Sequence, residues 1–346
     1  MKVKRLLYFF YYIKNMNWDL LNKFQDHYKR RYNLSILRQW YLVFNNSLKY
    51  NISILEFYQF GFNDKTHKEK LKWAGTGTMY EFQLQANPKS ERVALDDKRI
   101  FARKYKKFLA HKIYALDELT EEIIKDLLSM QKVVFKDATG KCGSGVLIKE
   151  TKNLSLKGFK EYMRKHQFDM VETYIEQHPE INKLSPSGVN TIRIFTKLDK
   201  QNNFIILGCR MRISVNSTVD NMAAGNLAAP VDELTGIISG PGVYSDITKR
   251  PEKIHPVTKT KIVGFQIPYW NDILNMVEEA SYLYPNNKSI GWDVIVTKDG
   301  PGLLEGNHDW CKLLWQLPVK KGLKPVLESF RRELEEHPQI HSDGHR

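Results

Sequence analysis

Three oxygen-bearing side chains cluster late in the chain: Asp293 in Gly291-Trp292-Asp293, and Glu305 and Asn307 in Leu304-Glu305-Gly306-Asn307. Apolar runs on either side of Lys298-Asp299-Gly300-Pro301 predict a β-hairpin. Glu305 and Asn307 then share one face. A turn with an odd number of residues sets Asp293 opposite Asn307, whereas an even one sends Asp293 to the other face. Two carboxylates and an amide oxygen converging on one face make a hard-oxygen site suited to magnesium. A solvated hairpin face explains the same charges more simply. Against it stand Ile290, Trp292, Val294, Val296, Leu303 and Leu304, which imply a packed hairpin where unpaired carboxylates are costly.

Two further stretches suit anion chemistry. Lys136 ends the apolar run Val133-Val134-Phe135, and glycines follow at 140, 143 and 145. Three glycines in six positions let backbone N–H groups turn toward a phosphate, with Lys136 adding a point charge. A plain glycine-rich turn fits these residues too. The loop matches neither the P-loop nor the dinucleotide-binding pattern. From Phe204 to Val215 the chain alternates, with Arg210, Arg212 and Ser214 on one face. Two arginines spaced by two can clamp phosphate or carboxylate oxygens, and Asn190 and Arg193 on the preceding strand can join them. A surface strand with solvated arginines is the rival account.

The elements that must position these residues differ along the 346-residue chain. Helical spacing in Trp18–Tyr32 and 35–48 marks a helical N-terminal region. Helices are expected from Asp96-Asp97 to about Leu109, over 116–130 and over 273–283. Strands are expected over 133–136, 145–150, 170–175, 191–198 and 204–215. This divides the chain into a helical region 1–94, an α+β lobe 95–175, a second lobe 176–333 and a polar tail 334–346. Fifty-three Lys and Arg against 39 Asp and Glu leave a charge of +14, which favours anionic partners without choosing one. No nucleic-acid motif is present. Cys142, Cys209 and Cys311 lack metal or disulfide spacing and suit a reducing, cytoplasmic setting. Residues 2–14, basic and aromatic, are too short to span a bilayer. They read as a buried helix, or as one lying on the inner membrane face.

The ordered set resembles the ATP-grasp superfamily over roughly residues 95–330, and within it the sugar-transfer-associated family found with cell-surface polysaccharide genes. Ser185-Pro186-Ser187-Gly188-Val189-Asn190-Thr191-Ile192-Arg193 carries the likeness. Ala228-Ala229-Pro230-Val231-Asp232 with Thr235-Gly236, and the acidic hairpin, add to it. The resemblance implies an α+β ATP-grasp fold, with ATP and Mg2+ held between two lobes. Lys98 and Lys136 would contact phosphates. The loop with Gly140, Gly143, Ser144 and Gly145 would close over them. Glu172, Thr173, Tyr174 and Ile175 would form the adenine-pairing linker, and Gln177 or His178 would approach the ribose. Asp293, Glu305 and Asn307 would hold the metal. Arg193, Arg210 and Arg212 would meet the γ-phosphate or an acylphosphate. Thr173 departs from the lysine of many relatives, and the helical first 90 residues replace a small α/β domain. The activity implied is a carboxylate–amine or carboxylate–nucleophile ligase working through an acylphosphate on a sugar or sugar precursor. Its acceptor would be an anionic small molecule or a sugar-linked group. A kinase phosphorylating a hydroxyl or amide is the alternative, and a non-enzymatic basic binding protein is a third reading.

Overall fold

The structure, a computed structural model, describes residues 2–138, 140 and 145–335. Of the tail expected over 334–346, residues 336–346 lie outside the described residues. The N-terminal region is helical, as the spacing predicts: Lys2–Lys14, Trp18–Tyr32, Ile36–Tyr50, Ile54–Gln59 and Thr76–Ala86 are the main helices. Their ends follow from local chemistry. Asn17 and Ser35 accept backbone N–H bonds as N-caps, and Asn33 and Asn51 end helices in the left-handed region at φ 53° and 57°. Phe24, Tyr28, Phe57, Tyr58 and Phe62 bury an aromatic core between them. Each such ring contributes about 1.5–3 kcal/mol by leaving water.

The first sheet contains β1 (Ile113–Ala115), β2 (Lys132–Lys136), β3 (Val146–Glu150) and β4 (Met170–Thr173), in the order β1-β4-β2-β3. Helices Glu121–Ser129 and Phe159–Lys165 supply Ile124, Leu127, Phe159 and Met163 to a core under Phe135 and Val171. The second sheet contains β5 (Ile192–Leu198), β6 (Phe204–Ile213), β7 (Leu227–Val231), β8 (Ser289–Thr297) and β9 (Gly300–Asn307), in the order β7-β6-β5-β8-β9. Every pairing in both sheets is antiparallel. One face of the second sheet packs against helix Trp270–Leu283 through Ile194, Met211, Trp292 and Ile273. Part of the other face meets helix Thr76–Ala86, residues 310–315 and helix Lys324–Glu335 through Phe82, Phe195, Trp310 and Phe330.

Two strands escape the periodicity. β1 has three residues, too few for alternation to register. β7 contains Pro230, which gives no N–H to a ladder and is tolerated because β7 is an edge strand. The helix expected over 116–130 is confined to Glu121–Ser129, where Thr120 caps it, because Ile113–Ala115 and the following turn precede it. Asp97, not Asp96, caps helix Lys98–Lys104, accepting from Arg99 N.

Candidate active site

The acidic hairpin forms, but by a route other than the expected odd turn. Thr297 pairs with Gly300, so the turn Lys298-Asp299 holds two residues and is even. Continued without interruption, that register would set Leu304 against Asp293. The register instead shifts between Asp293 and Val294: Val294 faces Leu303 while Asp293 faces Glu305. The bulge absorbs Leu304 and returns Glu305 to the face of Asp293. Asn307 stands across from Gly291, not Asp293 as the odd turn required. The three side chains still share one face. Gly291 has a reason of its own, since a Cβ there would lie 2.6 Å from Trp310 Cβ. Only glycine lets the indole cover this part of the strand.

Asp293 is 1% exposed and carries two guanidinium groups. Arg193, its neighbour across β5, donates through Nε to Oδ1 at 2.5 Å and through Nη2 to Oδ2 at 2.8 Å. Arg212 on β6 donates through Nη1 to Oδ2 at 2.8 Å, and its Nη2 lies 2.6 Å from Asp220 Oδ1. Asp220 Oδ2 in turn accepts from Thr191 N and Oγ1. Burial works against the charge of Asp293, but Arg193 and Arg212 hold its carboxyl far below the usual range. Burial and then the charge of Asp293 push Glu305 up. Asn307 donates from Nδ2 to Glu305 Oε1 at 3.2 Å and to Gly291 O at 3.3 Å.

Three carboxyl groups thus meet two guanidinium groups, and burial with the charge of Asp293 disfavours ionisation of Glu305 and also of Asp220. A divalent cation would relieve this. Glu305 accepts from the Asn307 amide, Asn307 has its carbonyl oxygen left over, and Asp293 Oδ1 accepts one arginine bond. The donor set therefore fits a hard cation, with water and phosphate oxygens completing the shell. No group of three or more His, Cys, Asp or Glu residues with metal-holding geometry occurs among the described residues. The fit thus depends on the amide and on ligands from outside the protein.

A second group lies on the first sheet. Lys136 Nζ sits 2.5 Å from Glu172 Oε2, and His111 Nε2 is 3.5 Å from the same oxygen. Glu172 is buried, which opposes its charge, yet Lys136 and His111 bring its carboxyl down to about 2. Lys98 donates from Nζ to Gly140 O, and Lys98 N bonds to Ala138 O. Gly145, at φ +72°, closes the loop base by accepting from Asp137 N. Gly143 and Ser144, with Cys142, lie outside the described residues.

Other expected site residues are engaged elsewhere. Arg210 shares the strand face of Arg212 but donates to Trp315 O through Nε and Nη2 and to Cys209 O through Nη1. Its guanidinium anchors the 310–316 segment and does not join the carboxylates. Gln177 is buried and fully bonded: Oε1 accepts from Asn190 N and Nδ2, and Nε2 donates to Asn182 and Gly188. It organises residues 185–190 and has no group left for a ribose. His178 caps a helix through Nδ1 and packs its ring 5.7 Å from Tyr269. Thr173 bonds on both sides to Lys112, through its N–H and its hydroxyl. Tyr174 and Ile175 continue past the end of β4, where Tyr174 is exposed.

Sequence reasoning missed Asp220, Thr191 and His111. Asp220 sits in an irregular loop without alternation or spacing to mark it. The stretch 185–193 does signal importance, and the structure explains its polar residues as a knot. Asn190 Oδ1 accepts from Ser214 N and Oγ, while Ser185 Oγ donates to Ser214 O. This knot fixes where β5 begins and where β6 ends, and so where Arg193 and Arg212 point.

Residues 78–332 match the model of a family described as sugar-transfer associated ATP-grasp. No curated protein matches the chain in sequence. Among solved structures, the ATP-grasp ligase PsnB with precursor peptide PsnA2 and AMPPNP aligns at TM-score 0.44 and 10% identity, over 72% of this chain and 62% of that one. Biotin carboxylase from Campylobacter jejuni aligns at 0.42 and 12%, over 67% and 47%. D-cycloserine synthetase DcsG aligns at 0.42 and 10%, over 72% and 73%. The chain thus spans less than two thirds of the length of PsnB. On the match of the family model, which covers most of its length, the chain belongs to the sugar-transfer-associated ATP-grasp family.

Proposed function

We propose that this protein is an ATP- and Mg2+-dependent ligase that activates a carboxylate as an acylphosphate and joins it to an amine or another nucleophile. The product would be a modified sugar or sugar precursor of a cell-surface polysaccharide. The observation that carries the reading is the Asp293–Arg193–Arg212–Asp220 network, with Glu305 and Asn307 placed beside it on one sheet face. When bound, Mg2+ supplies neutralisation of phosphate oxygens, and Glu305, Asn307 and Asp293 Oδ1 are the groups to hold it. Arg193 and Arg212 orient Asp293 and set positive charge beside the transferring phosphoryl group. Lys136 and Lys98 serve the other phosphates, with Glu172 holding the Lys136 ammonium in place. A carboxylate oxygen bonds to the γ-phosphorus as the bond to the β,γ-bridging oxygen breaks and ADP leaves. The nucleophile then displaces inorganic phosphate and loses its proton.

The test is to incubate the protein with ATP, Mg2+ and candidate acids and amines and to follow phosphorus by NMR. Free phosphate with ADP is the expected outcome. A phosphorylated acceptor would replace the ligase reading by a kinase, and no turnover with any pair, together with no ATP-analogue binding, would refute both.

We further propose that the enzyme works at the cytoplasmic membrane face. The first 50 residues hold ten Lys and Arg against only Asp19 and Asp26. Val3, Leu7, Phe10 and Tyr11 of the first helix are exposed, as are Leu37, Tyr41 and Phe44 of the third. The ring of Phe44 lies 5.1 Å from Phe9, which joins the two helices. No helix among the described residues is long and apolar enough to cross a membrane, so such a face would lie on the surface. Cosedimentation with phosphatidylglycerol vesicles, lost in Leu7→Glu/Phe10→Glu, is the expected result. Equal retention by the variant would refute it.

A further inference from the structure

A cavity of about 310 Å³ lies in the seam between the N-terminal helices and residues 243–251. It sits at the β7 edge of the second sheet, where Val243 pairs with Ala228, and away from Asp293 on β8. Its shape depends on how the helical region is seated. Gln59 Nε2 donates across the seam to Ser245 O at 3.1 Å, and Lys23 pairs with Asp246 at 2.5 Å.

The lining is cationic without matching anions. Lys65, Lys249 and Lys320 form no ion pair among the described residues. The two carboxylates that line the cavity are already committed: Asp246 to Lys23 and Thr248, and Asp64 to the Tyr32 hydroxyl with Arg31 at 3.8 Å. Lys65 is the most telling of the three. Its ammonium is partly buried, 5.2 Å from the Trp73 ring centre, and burial lowers its pKa from the usual lysine value although Glu69 and Asp64 oppose this. A Cβ at Gly61, held at φ +61°, would stand 3.5 Å from that nitrogen, within the space where a ligand atom could bond to it. Lys249 lies 4.5 Å from the Tyr244 ring on the opposite wall.

Unpaired ammonium groups held over rings that are themselves largely covered, as Trp73 is at 5% exposed with its centre 4.5 Å from that of Phe60, suit a compact ligand with an anionic substituent. About 300 Å³ is at the lower limit of small-molecule sites, room for one ring and its substituent but not for a whole nucleotide. A pyranose bearing a carboxylate or a phosphate has this form. We propose that the seam pocket binds an anionic sugar, at a site separate from that of the ligation. This binding does not rest on the ligase reading.

The full chain is titrated calorimetrically with glucuronate, glucose 1-phosphate, glucose and inorganic phosphate, and AMPPNP affinity and thermal unfolding are measured alongside. At least one of the anionic sugars binds, and Lys65→Gln weakens it roughly tenfold, the scale of one charged hydrogen bond. Lys249→Gln weakens it less, and both variants keep the wild-type AMPPNP affinity and unfolding temperature. The proposal is overturned if neither anionic sugar binds, if glucose or inorganic phosphate binds equally well, or if both variants bind as the wild type does. ATP turnover on other acceptors without sugar binding would refute the pocket alone.

Discussion

Replacing Asp293 by Asn removes one charge from a site where two guanidinium groups depend on it. Asp293 is 1% exposed and accepts three bonds, two from Arg193 and one from Arg212. Asn keeps one acceptor oxygen and turns an N–H2 group toward the donors of one arginine. Breaking a buried pair by removing one partner costs about 3–5 kcal/mol, because the remaining charge stays buried. At roughly 2–4 °C per kcal/mol for a lobe-sized unit, the unfolding temperature should fall by roughly 6–20 °C. Glu305→Gln is the control on the same face. Its charge is already disfavoured by burial and by Asp293, and Asn307 can still donate to the glutamine oxygen. It should change stability by no more than about 1 kcal/mol while weakening Mg2+-nucleotide binding. Urea unfolding at pH 7 and calorimetry with Mg-AMPPNP measure both quantities. If Asp293→Asn unfolds within about 1 kcal/mol of the wild type, or Glu305→Gln costs as much as Asp293→Asn, the ionised form of Glu305 is not disfavoured and Asp293 is not the anchor of the two arginines.

Three other outcomes follow from the same buried charges. Glu305 has a raised folded-state pKa, so its protonated form favours the fold below the ordinary glutamate range and that contribution is lost as pH rises through the raised value. Cation binding must displace the proton, so Mg-AMPPNP affinity should strengthen with proton release as pH rises through that raised value, and Glu305→Gln should flatten that dependence. Glu172, held down to about 2, adds stability that is complete above the ordinary glutamate pKa and disappears as pH falls toward 2. Acid titration monitored by circular dichroism should show a shallower fall for Glu172→Gln than for the wild type. Lys312 reaches Glu56 at 3.0 Å, where that buried carboxylate also accepts from Ser53 N, Thr76 N and Thr76 Oγ1. Lys312→Met should cost about 3 kcal/mol and make the helical region a preferred site of limited proteolysis.

The sequence alone determined most of the elements and which side chains they carry, though not β1 or β7. Alternation over 204–215 placed Arg210 and Arg212 on one face, and the apolar flanks of Asp293 announced a buried hairpin. The caps at Asn17 and Ser35 are local, so short-range chemistry suffices to read them. Partnership was a different matter. That Arg212 binds Asp293 while Arg210 binds Trp315 O depends on segments 81 and 105 residues away in the chain, which no period or spacing encodes. Gln177 looks like a free polar residue in the sequence and becomes the hub of residues 185–190 only when β5 and β8 meet. The acidic hairpin shows the division most clearly. Its three oxygen-bearing residues were legible, but an even turn would have separated Asp293 from Glu305 had the strands paired without interruption. One absorbed residue, Leu304, reunites them. Register is set by the packing of whole strands in a sheet, and only the tertiary structure decides it.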